Sequence, residues 1–429
     1  MQYFDTERDS RQAVLLALSQ RPEAELSAVE STVREILSAI RERGDDAVVE
    51  YTRKLDWPGT TAETLELAPQ SAPAPPATNA PLAEAADRIL AFHRAEMESL
   101  QSWRREFGPG RSLGQIIQPV QRVGVYVPGG KAVYPSTVLM AALPAVVAGV
   151  KEIIFCSPAN SDGVVSPVVL DAMRSVAARG VAIRKFRLGG AVAIGAMAYG
   201  TASVPRVDVI VGPGNNYVNI AKRIVYGDVG IDMLAGPSDV AIIADEGANP
   251  KFVAADILAQ TEHGPENRGV LISPSAALLD AVKQELIAQR ATMSRAKILE
   301  QSAENLLFVK SRDLIEAVAL ANALAPEHLE LQVRDPETLL PGIRNAGAVL
   351  LGDYTSAPVG DYMAGPSHTL PTGGAARFSS PLSVNTFLKR TSVISYTSQA
   401  AKEAAPFVAR FAEAEGFDAH AAAARLRGE

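Results

Sequence analysis

Residues 123–131, Val-Gly-Val-Tyr-Val-Pro-Gly-Gly-Lys, decide the fold class, because a short apolar run leads directly into a glycine turn. The run predicts a buried strand, and the turn predicts an abrupt change of direction before a helix. The pattern recurs, with further strands predicted at 152–156, 183–188, 207–211 and 240–244 and helices at 136–149, 165–178, 191–199 and 215–226. This alternation implies a mostly parallel sheet covered by helices, with the ligand crevice at the carboxyl ends of the strands.

A second alternating set of strands is predicted at 270–273, 306–309, 329–333 and 348–351. The sequence therefore predicts an α/β protein with two Rossmann-like parallel-sheet domains and helical N-terminal and C-terminal extensions. The expected parts are a helical extension over 1–25, an α/β domain over 26–122 plus 239–377, an inserted Rossmann-like domain over 123–238, and a C-terminal tail over 378–429. The proline-rich stretch 68–81 is expected to be an extended surface loop.

Composition narrows the class of protein. With 429 residues and a net charge of -7, the chain is long enough for two cores and too acidic for nucleic acid or an anionic membrane to be its main partner. The longest apolar run, 138–150, contains Pro144 and is shorter than the roughly 18 residues that indicate a membrane span. The single cysteine, Cys156, can form no internal disulfide, so a reducing, cytoplasmic location is expected.

Glycine turns follow several of the predicted strands, at 128–131, 189–190, 212–216 and 236–238. Each is expected to precede a helix N-terminus, where free N–H groups favour a phosphate. Tyr217 interrupts the dinucleotide pattern G-x-G-x-x-G that begins at Gly212, and no P-loop is complete. Strand-to-helix geometry explains each turn equally well when taken singly, whereas four turns on one sheet edge favour a nucleotide crevice.

Residues 255–264, Ala-Asp-Ile-Leu-Ala-Gln-Thr-Glu-His-Gly, form an apolar helical run that ends in metal-capable side chains. Gln260 and His263 are three residues apart and should project from one helix face, with Gly264 as a left-handed cap. Two side chains cannot hold a metal, so other segments must contribute ligands.

Three other histidines, His328, His368 and His420, also lie among acids and glycines rather than in apolar stripes. A zinc site and a set of unrelated surface histidines are about equally compatible with this distribution, since no H-E-x-x-H motif is present. A Ser–His–acid hydrolase with Ser238 as nucleophile is a weaker alternative, because 236–239 lacks the second glycine of a nucleophile elbow.

Motifs spread over nearly the whole chain resemble histidinol dehydrogenases in order and spacing. They lie at 123–130, 211–215, 235–238, 260–265, 325–330, 360–362 and 414–416 with His420. The resemblance implies an NAD-dependent enzyme with one zinc ion per subunit, which oxidises L-histidinol through histidinaldehyde to L-histidine in histidine biosynthesis. It also implies a homodimer in which Glu415 and His420 complete the pocket of the partner subunit.

The resemblance further assigns roles to individual residues. The implied zinc ligands are Gln260, His263, Asp361 and His420, and the implied catalytic pair is Glu327 and His328. The implied substrate pocket consists of Ser238, Gln260, His263, His328, Asp361, His368, Glu415 and His420, and the implied NAD site of Tyr126 and Asn215. In this scheme a neutral His328 takes the alcohol proton, and Glu327 activates the water that hydrates the aldehyde.

Three positions depart from the family pattern. Val192 stands where a glutamine usually contacts NAD, Ala357 replaces a glutamate, and Ser367 replaces an asparagine. One lost hydrogen bond of about 0.5–1.5 kcal/mol would weaken NAD binding without abolishing it. These departures keep open a paralogue that oxidises a different polar alcohol. A non-catalytic metal-binding protein is a third alternative, against which the presence of both Glu327 and His328 argues.

Overall fold

The computed structural model of the chain describes residues 1–19, 27–68, 80–129 and 133–429. Its strands are β1 Gln2–Asp5, β2 Trp103–Glu106, β3 Arg111–Pro119, β4 Arg122–Tyr126, β5 Glu152–Ser157, β6 Ala182–Arg187, β7 Val209–Val211, β8 Gly230–Ile231, β9 Asp239–Ala244, β10 Arg268–Ser273, β11 Leu307–Lys310, β12 His328–Gln332, β13 Ala348–Leu351 and β14 Leu388–Tyr396. Most of the predicted proline-rich loop and part of the 128–131 turn lie outside the described residues.

The helices are α1 Arg11–Ser19, α2 Ser27–Arg43, α3 Asp45–Leu55, α4 Ala62–Leu65, α5 Ala80–Glu98, α6 Pro135–Ala148, α7 Pro167–Ala177, α8 Gly190–Tyr199, α9 Asn216–Val225, α10 Pro250–Thr261, α11 Ala276–Arg290, α12 Ala296–Ser302, α13 Leu314–Leu324, α14 Ala357–Val359, α15 Ser398–Ala414 and α16 Asp418–Gly428. Within the described ranges, none of these helices is both long and apolar enough to cross a membrane.

A five-stranded parallel sheet has the order β6-β5-β4-β7-β8. Helices α8, α9 and α2 cover one face and share an apolar cluster with the strands. Helices α6 and α7 pack against each other, α6 also contacts β4, and neither helix belongs to that cluster. From β4 the chain winds outward to β5 and β6, then crosses through α8 to β7 on the other side of β4. The strand order therefore reverses between β4 and β7, the kind of switch point where α/β sheets bind ligands.

A six-stranded parallel sheet has the order β1-β11-β10-β9-β12-β13. Helices α10 and α11 bury apolar residues on one face, and α13 and α1 do so on the other. The chain winds from β9 to β10 and β11, then crosses through α13 to β12, so the order reverses between β9 and β12. Both sheets belong to one compact unit, residues 1–93 and 121–387.

The second compact unit consists of residues 94–120 and 388–429. Its antiparallel sheet has the order β14-β3-β2, with Leu388 opposite Pro119 and Tyr396 opposite Arg111. Helices α15 and α16 pack against each other through small residues, among them Ala409, Ala412 and Ala421. Long-range strand pairing thus joins two segments that are separated by more than half of the chain.

The predicted α/β class with two parallel sheets is confirmed, but its extensions are not purely helical. Residues 1–25 include β1, which pairs with β11 and satisfies the backbone hydrogen bonds of that strand. The tail 378–429 includes β14, which pairs with β3 and satisfies backbone hydrogen bonds of that strand.

The predicted grouping of 26–122 with 239–377 stays a prediction. Helix α2 packs on α8, where Gly195 lets Leu37 and Ile40 approach closely, and residues 94–120 fall in the second unit. The predicted boundaries at 122/123 and 238/239 stay predictions.

Candidate active site

The buried carboxylate of Glu327 is the centre of a polar cluster at the amino ends of β9, β10 and β12. The Asp239 backbone N–H donates to Glu327 Oε2 (3.2 Å), and the Glu327 N–H donates to Asp239 Oδ1 (2.6 Å). Gln260 Nε2 donates to Glu327 Oε2 (3.2 Å), and the Ser238 hydroxyl also donates to this carboxylate. Asn267 Oδ1 in turn accepts the Ser238 N–H (3.0 Å), so Ser238 is itself held in place.

Burial is the main reason why Glu327 is a weaker acid than an ordinary glutamate. It raises the pKa, the negative charges of Asp239 and Asp361 add to the effect, and His328 opposes it, with the net result that the pKa of Glu327 rises to about 7. A carboxyl group in this range can both take up and release a proton near neutral pH, as a general acid/base requires.

His328 is the first residue of β12 and lies against Asp361. Its Nε2 is 3.6 Å from Asp361 Oδ1, and its buried Nδ1 has no hydrogen-bond partner among the described residues. Burial disfavours the imidazolium, but Asp361 and Glu327 outweigh burial and raise the pKa of His328 above its ordinary value. For Asp361 burial is likewise overcome, by the contact with His328, and its pKa is lowered.

The segment after α14 carries Asp361 on a wide helical turn, Gly360–Ala364, back to the amino edge of the sheet. The Asp361 backbone oxygen is 3.1 Å from His368 Nδ1, and burial lowers the pKa of the half-buried His368. His263 is exposed, yet it lies near enough to act on the pKa values of Asp361 and His368. The structure therefore brings together most of the predicted site residues: Ser238, Gln260, His263, Glu327, His328, Asp361 and His368.

Glu415 and His420 belong to the second unit. Glu415 directly follows α15 and is exposed. His420 is exposed on α16, where its ring centroid is 5.3 Å from that of Phe417. The implied role of both residues in a partner's pocket stays a prediction.

Two local predictions around this cluster are wrong. The turn at 236–238 precedes strand β9 rather than a helix. Gly264 is no left-handed cap, because α10 ends at Thr261 and Glu262 follows in a right-handed conformation, with its carbonyl accepting from Arg295 Nη1 (3.0 Å).

The polar side chains of the cluster suit a zinc ion by donor type. Gln260 offers an amide oxygen, His263 an imidazole nitrogen and Asp361 a carboxylate, all ligand atoms that zinc accepts. Since Gln260 uses its nitrogen to bind Glu327, its oxygen is left for a ligand. Three or more His, Cys, Asp or Glu side chains do not come together as a metal site anywhere in the described part of the chain. The first unit alone thus supplies a fitting but incomplete ligand set.

The predicted cofactor residues lie at the carboxyl edge of the five-stranded sheet, at its β4/β7 switch point. Tyr126 ends β4, its hydroxyl accepts from the Gly190 N–H (3.2 Å), and burial raises the pKa of Tyr126 to about 12. Asn215 is exposed and caps α9 by accepting from Val218 N (3.2 Å). The two predicted NAD contacts therefore flank the point where the strand order reverses.

A buried ion pair that sequence patterns did not indicate holds the glycine turn after β7. Lys222 pairs with Asp232, and Lys222 Nζ donates to the Gly212 carbonyl (3.1 Å). The Gly212 N–H donates to Asp232 Oδ2 (2.8 Å). Gly212 has φ +114°, and a Cβ there would lie 2.2 Å from the Tyr126 carbonyl oxygen, so only glycine fits. The one available sequence signal was a lysine on the apolar face of a helix.

The three departures from the family pattern are all buried. Val192 is 1% exposed and packs in the apolar cluster under α8, so its side chain contacts the core. The Ala357 N–H donates to Glu330 Oε1 (3.1 Å), and Ser367 Oγ donates to the Met140 carbonyl (3.2 Å). Each is therefore integrated into the packing of the first unit.

Comparison with known proteins shows to which family the chain belongs. A sequence model of the family described as histidinol dehydrogenase matches residues 19–428. The histidinol dehydrogenase of Aquifex aeolicus (strain VF5) is 46% identical over 418 residues, which is 96% of this chain and 95% of the relative. That of Synechococcus sp. is 47% identical over 405 residues, 93% of this chain and 92% of the relative. The crystal structure of histidinol dehydrogenase from Elizabethkingia anophelis superimposes with a TM-score of 0.90 at 33% identity and covers 100% of this chain and 98% of that chain. The chain belongs to the histidinol dehydrogenase family of enzymes.

Proposed function

We propose that this enzyme oxidises L-histidinol through histidinaldehyde to L-histidine, the last reactions of histidine biosynthesis, with NAD and one zinc ion per subunit. The observation that carries the proposal is the buried cluster in which Glu327 and His328 face Gln260, Ser238 and Asp361. The cytoplasmic location expected from the lone, buried Cys156 is part of the proposal.

His328 performs the alcohol step. Its Nε2 takes the hydroxyl proton of histidinol while a hydride leaves the carbinol carbon, and Asp361 beside it stabilises the imidazolium that forms. Because His328 starts a strand paired on both sides, its ring position is set by the sheet. Bound NAD would accept the hydride, and Gln260, His263, Asp361 and His420 would hold a zinc ion that orients the polar groups of the substrate.

Glu327 performs the aldehyde step. It takes a proton from water as the water oxygen bonds to the aldehyde carbon, and the carbonyl oxygen becomes an alkoxide. The second hydride would then pass from this carbon to a second NAD, and loss of the remaining hydroxyl proton gives the carboxylate. Ser238 and Gln260, which both donate to Glu327, hold its carboxylate in one orientation. The burial of Glu327 keeps bulk water from competing for the carboxylate.

The test is an assay of zinc-loaded protein with histidinol and NAD. We expect two NADH formed for each histidinol consumed, and absence of NADH would overturn the proposal. A panel of other polar alcohols addresses the paralogue alternative: an alcohol preferred over histidinol by more than about a hundredfold in kcat/KM would replace histidinol as the substrate.

The proposal includes a homodimer whose tails complete the partner's pocket. Inactive His328→Ala and His420→Ala proteins, mixed and re-formed as dimers, should recover about a quarter of wild-type activity, because half the dimers are mixed and one of their two pockets carries neither change. If each tail serves its own subunit, every pocket keeps one defect and mixing restores nothing.

A further inference from the structure

Three buried polar side chains meet on the α10 face of the six-stranded sheet, further along β12 than the cluster around Glu327. They are Asp256 of α10, at 7% exposure, and Glu330 and Gln332 of β12, at 0% and 1%. Gln332 Nε2 donates to Asp256 Oδ2 (2.8 Å) and to Glu330 Oε2 (2.9 Å), and the two carboxyl groups are hydrogen-bonded directly. Two carboxyl groups in such a dry place are costly unless they share a proton.

The protonation of the pair agrees with its geometry. Burial raises the pKa of Asp256, and burial together with the charge of Asp256 raises the pKa of Glu330 to about 8. The two carboxyl groups therefore share a proton, with Glu330 as the hydrogen-bond donor to Asp256. The group is a directional network of hydrogen bonds, whereas apolar residues at these positions would fill the same space without direction.

The network connects the three segments that carry the site. Asp256 lies one turn before Gln260 on α10, and Glu330 lies two residues after His328 on the same face of β12. The third segment is reached through the backbone, since the Ala357 N–H donates to Glu330 Oε1 (3.1 Å) and the chain arrives at Asp361 four residues later. A shift of any one segment would break a bond in the network.

We propose that Asp256, Glu330 and Gln332 are positioning residues, whose hydrogen bonds hold Gln260, His328 and Asp361 in the relative places that metal and substrate require. The inference rests on the proposed function for the identity of the metal and the substrate. Buried polar networks of this kind add little net stability, so their expected effect is on geometry rather than on the free energy of unfolding.

The test compares Glu330→Leu with Glu330→Gln in the full-length protein. The glutamine keeps the bonds to Ala357 and Asp256 and loses only the bond from Gln332, whereas leucine loses all three. For Glu330→Leu we expect zinc affinity, measured by chelator competition, to fall about 10–100-fold and kcat to fall similarly. Hydrogen exchange of residues 357–364 in the metal-free protein should accelerate. Glu330→Gln should stay within about threefold of wild type in zinc affinity and kcat.

The matched control is Asn322→Leu, on the opposite face of the same sheet. Asn322 Nδ2 donates to the Gly342 carbonyl (2.9 Å) and its Oδ1 accepts from Arg344 N (2.7 Å), so it too is a polar cross-link. We expect this variant to lower Tm and leave zinc affinity unchanged.

The inference is overturned if Glu330→Leu behaves like the control, with a lower Tm but wild-type zinc affinity and wild-type exchange at 357–364. Should Glu330→Leu not fold, Gln332→Met, which removes both N–H donors at similar volume, carries the same test with the same expected outcome. If wild-type protein forms no NADH from histidinol, the proposed function fails, while zinc affinity and hydrogen exchange still decide the positioning role.

Discussion

The five-stranded and six-stranded sheets share one winding pattern but present their candidate site residues on opposite edges. In the five-stranded sheet Tyr126 and the turn at Gly212 lie at the carboxyl ends of strands, beside the switch point. In the six-stranded sheet Ser238, Glu327 and His328 lie at the amino ends, although the strand order reverses there too. The order in which the strands are connected therefore does not determine at which edge of a sheet the candidate site residues lie.

The backbone explains the difference. At the carboxyl edge, strands run into helix N-termini whose N–H groups suit an anionic cofactor. At the amino edge, the first N–H groups of the strands point outward and bind side-chain acceptors, as Asp239 N does with Glu327 and Ser238 N does with Asn267. The amino edge of the six-stranded sheet thus holds the buried carboxylate of Glu327, which an acid/base pair needs.

The largest effects are expected at His328 and Glu327, which are assigned to the alcohol step and the aldehyde step. His328→Asn should lower kcat by about 10²–10⁴-fold, because the base of the alcohol step is lost. Glu327→Gln should still allow the first hydride transfer, so NADH per histidinol falls from two toward one and histidinaldehyde accumulates. Rapid-mixing NADH traces with an aldehyde trap measure this. Equal loss of both steps in Glu327→Gln would remove the assigned division of labour.

Breaking the ion pair at the carboxyl edge should act on that edge alone. Lys222→Met leaves Asp232 buried without its cation and should cost about 3–5 kcal/mol in the free energy of unfolding, measured with urea. NAD binding should weaken while zinc affinity is retained. Arg43→Met, which opens the exposed pair with Glu50, is the control, with a cost of about 0–1 kcal/mol. Loss of zinc affinity in Lys222→Met would show that the two edges are not independent.

The buried carboxyl pair predicts a pH dependence of stability. The pKa of Glu330 is about 8 in the folded chain and ordinary when unfolded, so between these values the folded state binds more protons, and stability falls as pH rises toward 8. Glu330→Gln lacks this loss. Its free energy of unfolding relative to wild type should therefore increase by roughly 1–3 kcal/mol from pH 5 to pH 8 and then level off. A flat difference across this range would mean that Glu330 is ionised in the folded protein.

The smallest effect is expected at Tyr126. Tyr126→Phe removes one neutral hydrogen bond, to the Gly190 N–H, and should weaken NAD binding by about 1 kcal/mol, roughly fivefold in Kd, as measured by fluorescence titration. Zinc affinity and the KM for histidinol should not change. An unchanged Kd for NAD would remove Tyr126 from the cofactor site and weaken the assignment of the carboxyl edge.

Local patterns in the sequence determined much of this molecule. The alternation of short apolar runs with helical segments predicted both parallel sheets, because the period of side chains along a strand or helix depends only on neighbouring residues. Most residues of the cluster were instead implied by the family resemblance of the motifs around Gln260, Glu327 and Asp361. Residues such as Asp239, Lys222 and Glu330 were not identified, because a polar residue in an apolar run reveals nothing about its distant partner.

Only the tertiary structure decided which edge of each sheet the site residues occupy, and that β14 pairs with β3 rather than leaving a purely helical tail. It also decided that Asp361 faces His328 and that Glu330 joins α10 to the segment before Asp361. The physical reason is the same in each case. Hydrogen bonds and buried charges between segments far apart in the chain depend on strand order and packing, which no local periodicity encodes.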